Sequence, residues 1–425
     1  MPSPPHQPFL PGEPFARELD AADPLGPFRD QFLLPRRPDG TPHIYLCGHS
    51  LGLQPKGARA LVEQELDDWA RLGVEGHFRG KTPWYTYHET LRDAGARLVG
   101  ALPHEVVFMN SLTVNLHLML ATFYRPVGER RCILIDEPAF PSDRYAVESH
   151  IDHWDLVPQR CVRMNMPRER EHTIRPEDVE RFLGEYGHVA AVALFDGVNF
   201  LTGQRFDLRR LTEAAHRQGC KLGVDLAHAV GNVPLHLHDW GVDFAVWCSY
   251  KYLNGGPGVV GGCFIHEKHA LAGGHTRLGG WWGTDPTTRF NRNSEFVPKP
   301  GADGWQVSNP PILSMAPLRA SLALFDAARM PALREKSERL TAYLLYLLDR
   351  LPAGRFEVIT PRDPEQRGSQ VSLLVRDRPR ELVKALEVAG IVCDFREPNI
   401  VRVAPVPLYN TYQDVWTFVD ALSRF

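Results

Sequence analysis

Residues 224–258 read VDLAHAVGNVPLHLHDWGVDFAVWCSYKYLNGGPG, and their pattern decides the fold. The apolar run KLGVDLA (221–227) reads as a strand with Asp225 near its carboxyl end and His228 just beyond it. The run DFAVWCS (243–249) reads as a second strand that delivers Ser249, Tyr250 and Lys251. Both are continuously apolar rather than alternating, as strands buried on two faces are. Open α/β sheets bind ligands outside the carboxyl ends of their strands. Asp225 and Lys251, 26 residues apart, are then placed to face one cleft.

The same rhythm extends on both sides of this stretch. Further strands are expected at VVFMN (106–110), CILID (132–136), AAVALF (190–195) and VGGCFIH (260–266). Helical patterns lie between them at 114–124, 141–151, 175–186 and 207–219. The alternation predicts an α/β protein whose large domain, residues 71–312, has a mostly parallel sheet flanked by helices. After SNPPIL the character changes to a helix-rich run and a second β/α alternation, which predicts a smaller α/β C-terminal domain over 313–425. Residues 1–70 hold a proline-rich opening and the amphipathic stretch GARALVEQELDDWARLG. They are expected to form an arm and a helix packed on both domains.

Composition removes several classes of function. The chain has 48 basic and 51 acidic residues, a net charge of −3, too balanced for broad phosphate-backbone binding. Nucleic acid is not an expected partner. No apolar run approaches the roughly 18 residues that signal a membrane span, so no membrane partner is expected. The opening lacks the basic start and apolar stretch of a secretory signal. Seven scattered cysteines without a CxxC are the pattern of reduced thiols in a cytoplasmic protein, not of a disulfide or zinc framework. No metal is expected, since HEKH (266–269) falls one residue short of HExxH. GPGVVG (256–261) matches GxGxxG but leads into a strand rather than into a helix, which excludes a dinucleotide site.

A lysine and a carboxylate facing one cleft are what a pyridoxal phosphate enzyme requires. The amine forms a Schiff base with the cofactor aldehyde, and the acid keeps the pyridinium nitrogen protonated. Taken singly, Asp225 also reads as a strand-end cap and Lys251 as a loop cation; the argument rests on the pair. FMNSLTVNLHLML (108–120) ends a strand and opens an apolar helix at Ser111 or Thr113. The free N–H groups there suit a phosphate, although a plain N-cap reads the same way. In DEPAFPSDRYAVES (136–149), Phe140 is placed either to stack on a pyridine ring or to staple the next helix into the core. Trp281 and Trp282, in GGWWGTD, mark either an interface or ligand wall, or core packing.

Together these segments resemble the kynureninase family, pyridoxal-phosphate enzymes of the aspartate-aminotransferase fold. The resemblance runs from about Tyr45 to the C-terminus and rests on YLCGHSLGLQP, NSLTVNLHLML, FPSD, FDGVNFLTGQ, DLAHAVG, SYKYLN, GGWWG, SNPPIL and RVAPVPLYN. It implies pyridoxal 5'-phosphate as cofactor, a homodimer with shared active sites, and hydrolytic Cβ–Cγ cleavage of L-kynurenine to anthranilate and L-alanine. The pathway implied is tryptophan catabolism or NAD biosynthesis.

The resemblance also implies roles for single residues. Lys251 is the Schiff-base lysine, Asp225 the pyridinium partner and His228 a ring-side support. Phe140 is the stacking aromatic, with Pro141, Ser142 and Asp143 of FPSD around the cofactor. Leu112 and Thr113 form the phosphate loop, Tyr250 is a phosphate ligand and proton donor, and Asp196 lies near the ring oxygen. Trp281 and Asn309 reach the cofactor from the second subunit. Arg402 grips the substrate α-carboxylate, a task suited to a bidentate guanidinium. His77, Ser308 and Asn309 lie beside the substrate ring, where their hydrogen-bonding groups favour acceptance of 3-hydroxykynurenine. Two rivals remain at this level. A cysteine desulfurase, selenocysteine lyase or aminotransferase would share the cofactor, but a desulfurase needs a cysteine on a mobile loop, and Cys393 lies in a strand-like run. A binding scaffold that had lost its chemistry would not need Lys251, Asp225 and Arg402.

Overall fold

Continuously apolar strands are stable only where both faces are covered, and the chain stacks them into one twisted sheet between two layers of helices. The computed structural model describes residues 8–291 and 295–425. The large sheet has seven strands: β1 (Val106–Met109), β2 (Cys132–Asp136), β3 (Val162–Asn165), β4 (Ala190–Asp196), β5 (Lys221–Asp225), β6 (Phe244–Trp247) and β7 (Gly261–Ile265). Their spatial order is β1-β7-β6-β5-β4-β2-β3. Strands β2 to β6 pair in parallel, whereas β7 runs antiparallel to both its neighbours. All six expected strands form. Strand β3, VRMN, went unseen because it is a short, half-buried edge strand that carries an arginine and has no apolar run to announce it.

The four expected helices form at Leu112–Phe123, Pro141–His153, Pro176–Tyr186 and Leu208–Arg217. One sheet face packs Leu134, Ala193, Val224 and Trp247 against Leu211, Ala215 and Leu226. The other packs Val107, Ile133, Val192 and Val246 against Leu116, Leu120 and Val147. Asp207 starts the helix Leu208–Arg217 by accepting the Arg210 N–H at 3.1 Å, an N-cap that satisfies an otherwise open donor.

The smaller sheet is antiparallel: β8 (Phe356–Val358), β9 (Val371–Val375), β10 (Asp394–Arg396) and β11 (Ile400–Val403), in the order β8-β9-β11-β10. Its core joins Leu373, Val401, Val403 and Phe418 to Leu340, Leu344 and Leu348. The expected strand IVCDF divides, with Ile391–Val392 pairing in parallel with Ile44–Tyr45 and Asp394–Arg396 joining the small sheet. The change of character at 312/313 coincides with the start of the helix Ile312–Ala328, which buries Met315, Leu318 and Phe325 in the large core. The chain passes to the second core between Leu333 and Leu340. Near the N-terminus, the helix Glu13–Ala21 buries Phe15 and Leu19 in the small core, while the helix Ala58–Leu72 packs on Ile312–Ala328.

Gly223 shows how tightly β5 is held. It pairs with Phe244 of β6, and a Cβ there would meet the Phe244 ring at 2.1 Å. Overpacking of this kind costs about 1–3 kcal/mol. Gly223→Ala is expected to lower the apparent melting temperature at fixed scan rate. Because Asp225 lies two residues along the same strand, cofactor retention should weaken too; an unchanged melt would show that the strand pair can yield.

Candidate active site

Three adjacent parallel strands each end on an aspartate: β2 on Asp136, β4 on Asp196 and β5 on Asp225. A fourth, Asp143, comes from the first turn of the helix Pro141–His153. All four are buried. Asp136 accepts the backbone N–H of Asp196 at 3.1 Å, and Asp225 accepts that of Ala227 at 2.6 Å. Asn199 donates to Asp196 at 3.1 Å and to the Pro138 carbonyl at 2.9 Å, tying the ends of β4 and β2 together.

Burial raises all four carboxyl pKa values, because a charge in this surrounding has lost its water. Asp136 is pushed up to about 7 by its burial, and Asp225 adds repulsion. Asp143 and Asp196 lie well above the usual carboxylate range, for the same first cause. Asp225 is raised less, since a hydrogen bond from Asp143, the Ala227 N–H and the nearby Lys251 cation offset its desolvation. Within this pair the shared proton is favoured on Asp143 over Asp225.

Lys251 follows β6 and hydrogen-bonds His228 Nε2 through its Nζ at 3.0 Å. Its amine stands 5.7 Å from the centre of the Phe140 ring and 6.0 Å from that of Tyr250. Phe140 is 37% exposed. Its ring lines the cleft, edge-on to Phe200 at 5.3 Å. Burial and the neighbouring Lys251 and Arg402 hold His228 well below its ordinary pKa, so the ring is neutral beside the amine. Burial also raises the Tyr250 phenol, which stays protonated as a hydrogen-bond donor.

The other wall of the cleft is a helix start. The helix Leu112–Phe123 has Ser111 at its N-cap with no side-chain cap bond, so first-turn N–H groups are left without that partner. The Thr113 and Ser142 hydroxyls hydrogen-bond one another at 2.8 Å across the starts of two helices. One cleft is thus lined by Leu112, Thr113, Phe140, Ser142, Asp196, Asp225, His228, Tyr250 and Lys251. Pro141 opens the helix that carries Ser142 and Asp143.

Arg402 comes from β11 of the small domain and is 1% exposed. Its Nε and Nη2 lie 2.9 and 2.8 Å from Asp394 Oδ1, and its Nη1 donates to the Phe200 carbonyl of the large domain. Both terminal nitrogens keep a second hydrogen for another anion. Seven expected residues are absent from the cleft lining: Pro141 and Asp143, which belong to the helix that carries Ser142, Arg402, which is held by Asp394 and Phe200, and Trp281, Ser308, Asn309 and His77. Trp281 is exposed and packs edge-on to Phe290 at 5.5 Å. Ser308 and Asn309 are exposed. His77 is half-buried, its Nδ1 3.0 Å from the Val74 carbonyl and its ring edge-on to Trp84. Trp282, by contrast, is buried beneath the Arg289 guanidinium, 4.3 Å away.

Sequence reasoning missed Asp136, Asn199, Asp394 and His49. Asp136 ends the run CILID, so the strand-end rule that found Asp225 could have found it. His49 and Asn199 lie within the quoted motifs YLCGHSLGLQP and FDGVNFLTGQ, which marked the segments but not these side chains, and Asp394 opens a short edge strand with no local signal.

This geometry fits a pyridoxal phosphate. A helix start with two hydroxyls suits the phosphate. An aromatic wall suits the ring, and a buried anion at the far end suits a cationic ring nitrogen. A curated kynureninase from Myxococcus xanthus (strain DK1622) is 55% identical over 415 residues, covering 98% of this chain and 97% of that protein. The chain belongs to the kynureninase family. A second kynureninase, from Koribacter versatilis (strain Ellin345), is 54% identical over 408 residues and 96% of both chains. The family model described as the kynureninase C-terminal domain matches residues 333–422.

Among solved structures, a variant of C-DES with glycine covalently linked to its PLP cofactor superposes with a TM-score of 0.78 at 18% identity, covering 93% of this chain and 99% of that one. The cysteine desulfurase CsdA from Escherichia coli gives 0.76 at 18% identity, over 94% and 98%. These two likenesses establish the fold, the one expected from the alternation of strands and helices.

The Asp394–Arg402 pair yields a stability test. Removing one partner of a buried ion pair leaves the other charge uncompensated and costs about 3–5 kcal/mol. Arg396 also pairs with Asp394 at 2.9 Å, so Arg402→Met leaves Asp394 a partner whereas Asp394→Ala strands both guanidinium groups. Asp394→Ala is therefore expected to destabilise the small domain more than Arg402→Met, measured by thermal or denaturant unfolding.

Proposed function

We infer that this protein is a pyridoxal-5'-phosphate-dependent hydrolase of carbon–carbon bonds that cleaves L-kynurenine to anthranilate and L-alanine. One observation carries the cofactor reading: the Lys251 amine projects into a cleft with Phe140 on one side, His228 at 3.0 Å and the buried Asp225 beneath. Family membership carries the choice of substrate. When bound there, pyridoxal phosphate supplies an imine linkage and an electron sink for the bonds around the substrate Cα.

The residues of the chain do the rest. Lys251 anchors the cofactor and, once released, takes the proton from the substrate Cα. Asp225 stays anionic, supported by the proton on Asp143, and holds the ring nitrogen cationic. The open N–H groups of Leu112 and Thr113, with the Thr113, Ser142 and Tyr250 hydroxyls, receive the phosphate. Asp196, at the adjacent strand end, would be the contact for the ring oxygen. Arg402 receives the substrate α-carboxylate. The net reaction adds water across Cβ–Cγ: hydroxide goes to the aryl carbonyl carbon, giving the carboxylate of anthranilate, and a proton goes to Cβ, giving the methyl of alanine. Tyr250, fixed as a phenol, is the group placed to polarise that carbonyl or relay the proton.

A desulfurase reading loses support on chemistry. Burial pushes the Cys47 and Cys393 thiols up to about 11 and 12, and the other five cysteines are buried. Such thiols are poor nucleophiles. The free cysteines also support the cytoplasmic placement.

We propose a homodimer in which Trp281 and Asn309 complete the partner's cleft, with His77 and Ser308 beside the aryl ring. What supports this is their position: within one chain these side chains lie outside the cleft lining, three of them exposed. Exposed Phe290 and Phe296 accompany Trp281 on the same segment. Hydrogen-bonding groups at the aryl end favour 3-hydroxykynurenine as a second substrate, giving 3-hydroxyanthranilate. The role is a step in tryptophan catabolism or NAD biosynthesis.

Three measurements test these assignments. The purified holoenzyme should release anthranilate from L-kynurenine and show an absorbance band at about 420 nm that borohydride bleaches. Lys251→Ala should lose both the reducible band and at least about 1,000-fold in kcat, while Asp225→Asn keeps the band and loses about 100-fold. For the shared site, Lys251→Ala and Trp281→Ala chains mixed after unfolding should regain about a quarter of wild-type activity, since half the dimers are mixed and each mixed dimer has one intact site. No recovery, or a monomeric particle at the 48.0 kDa chain mass, refutes the shared-site arrangement. A kcat/KM strongly favouring unhydroxylated kynurenine refutes the aryl-pocket assignment.

A further inference from the structure

His49 is fully buried, and neither of its ring nitrogens has a hydrogen-bond partner among the described residues. An imidazole in this condition is unusual, because buried polar groups are almost always paired. Its surroundings say what it awaits. The ring is 6.4 Å from that of His228, which holds the Lys251 amine. On the other side, a His49 nitrogen, the Cys47 sulfur and an Asp394 oxygen lie within 4.8 Å of one another, and Asp394 is the partner of Arg402. His49 is therefore near both the amine that joins the reacting centre and the guanidinium assigned to the α-carboxylate, close enough for both cations to act on its ring.

The turn that carries His49 is fixed from both sides. Leu46 accepts the Ala404 N–H at 2.9 Å, two residues beyond Arg402. Gly52 donates to the Tyr250 carbonyl at 2.7 Å, one residue before Lys251. Ser50 and Leu51 close the turn on the Cys47 carbonyl. A Cβ on Gly48 would strike the Tyr409 hydroxyl, so the backbone at this point has no room to swing away. The ring is thus held rigidly at the junction of the two domains.

Its charge state follows from the same neighbours. Burial, with Arg402, Lys251 and Arg396 nearby, keeps the imidazole neutral. A cation site built from Cys47, His49 and Asp394 is disfavoured by those same positive groups and by a thiol that burial keeps protonated. An anion is the complementary ligand, and a neutral ring offers it one N–H donor.

We propose that His49 donates a hydrogen bond to the α-carboxylate of the bound amino acid, acting with Arg402 to fix the substrate over Lys251. The proposal deepens the kynureninase reading and rests on it. It makes substrate selection a joint property of the N-terminal segment and the small domain: an amino acid with a free carboxylate engages both, and an amine without one engages neither.

The test uses the holoenzyme and its small product. His49→Phe preserves a ring but removes both nitrogens, and His49→Gln restores a donor. For L-kynurenine, His49→Phe should raise KM about 10- to 100-fold with kcat changed far less, the size expected for one lost bond to a charged group. His49→Gln should recover much of the loss. In spectral titrations, L-alanine affinity should fall in His49→Phe while ethylamine, which lacks the carboxylate, binds as it does to wild type. Equal losses for both ligands, or no loss for either, overturn the proposal. Should the variants fail to fold, a crystal structure of the wild-type holoenzyme with L-alanine decides: a His49 nitrogen within about 3.2 Å of a carboxylate oxygen supports it, and one beyond hydrogen-bond reach overturns it. A wild-type protein that binds no pyridoxal phosphate and releases no anthranilate would instead refute the kynureninase reading.

Discussion

Negative charge is concentrated where the sheet can least solvate it. Asp136, Asp196 and Asp225 close three neighbouring parallel strands, and Asp143 joins them from a helix start, all out of water. Four ionised carboxylates in such a place would repel one another at great cost, so protons are retained and positive charge is required. Lys251 supplies part of it. A cationic heterocycle bound opposite Asp225 would supply the rest and ease that repulsion. The order of the carboxylates also matters: the proton is favoured on Asp143 over Asp225, which leaves Asp225 the better placed of the two to pair with a cation.

The site is also a joint between domains. Arg402 belongs to the small sheet, yet it donates to the Phe200 carbonyl in the large domain, and Phe200 packs on Phe140 in the cleft. The turn at Cys47–Leu53 is bonded at one end beside Arg402 and at the other beside Lys251. On the proposed assignment the carboxylate end of a substrate would meet the small domain and the N-terminal segment, while the cofactor would be held by the large sheet. The proposed second subunit would supply the wall at the aryl end through Trp281 and Asn309.

Much of this was legible in the sequence, because continuous apolar strands and their end residues obey short-range rules. The runs at 106–110, 132–136, 190–195, 221–227, 243–249 and 260–266 all became strands of one sheet. The rule that ligands gather at strand ends brought Asp225 and Lys251 into one cleft, as the structure does. Phe140 had two readings at that level, a cofactor stack or a helix staple; its ring lines the cleft. Strand β3 escaped because an edge strand need not be apolar. Trp281 and Trp282 look identical in the sequence, but one is exposed beside Phe290 and the other is buried under Arg289.

The sequence by itself determined the sheet-and-helix alternation, the lysine and acid at neighbouring strand ends, and the uncapped helix start proposed for a phosphate, since each depends on residues close along the chain. Only the tertiary structure decided which carboxylate of the buried set is favoured to hold a proton, what holds Arg402, and that His49 is unpaired near both Arg402 and Lys251. Those are properties of burial and of neighbours hundreds of residues apart, and no local pattern encodes them.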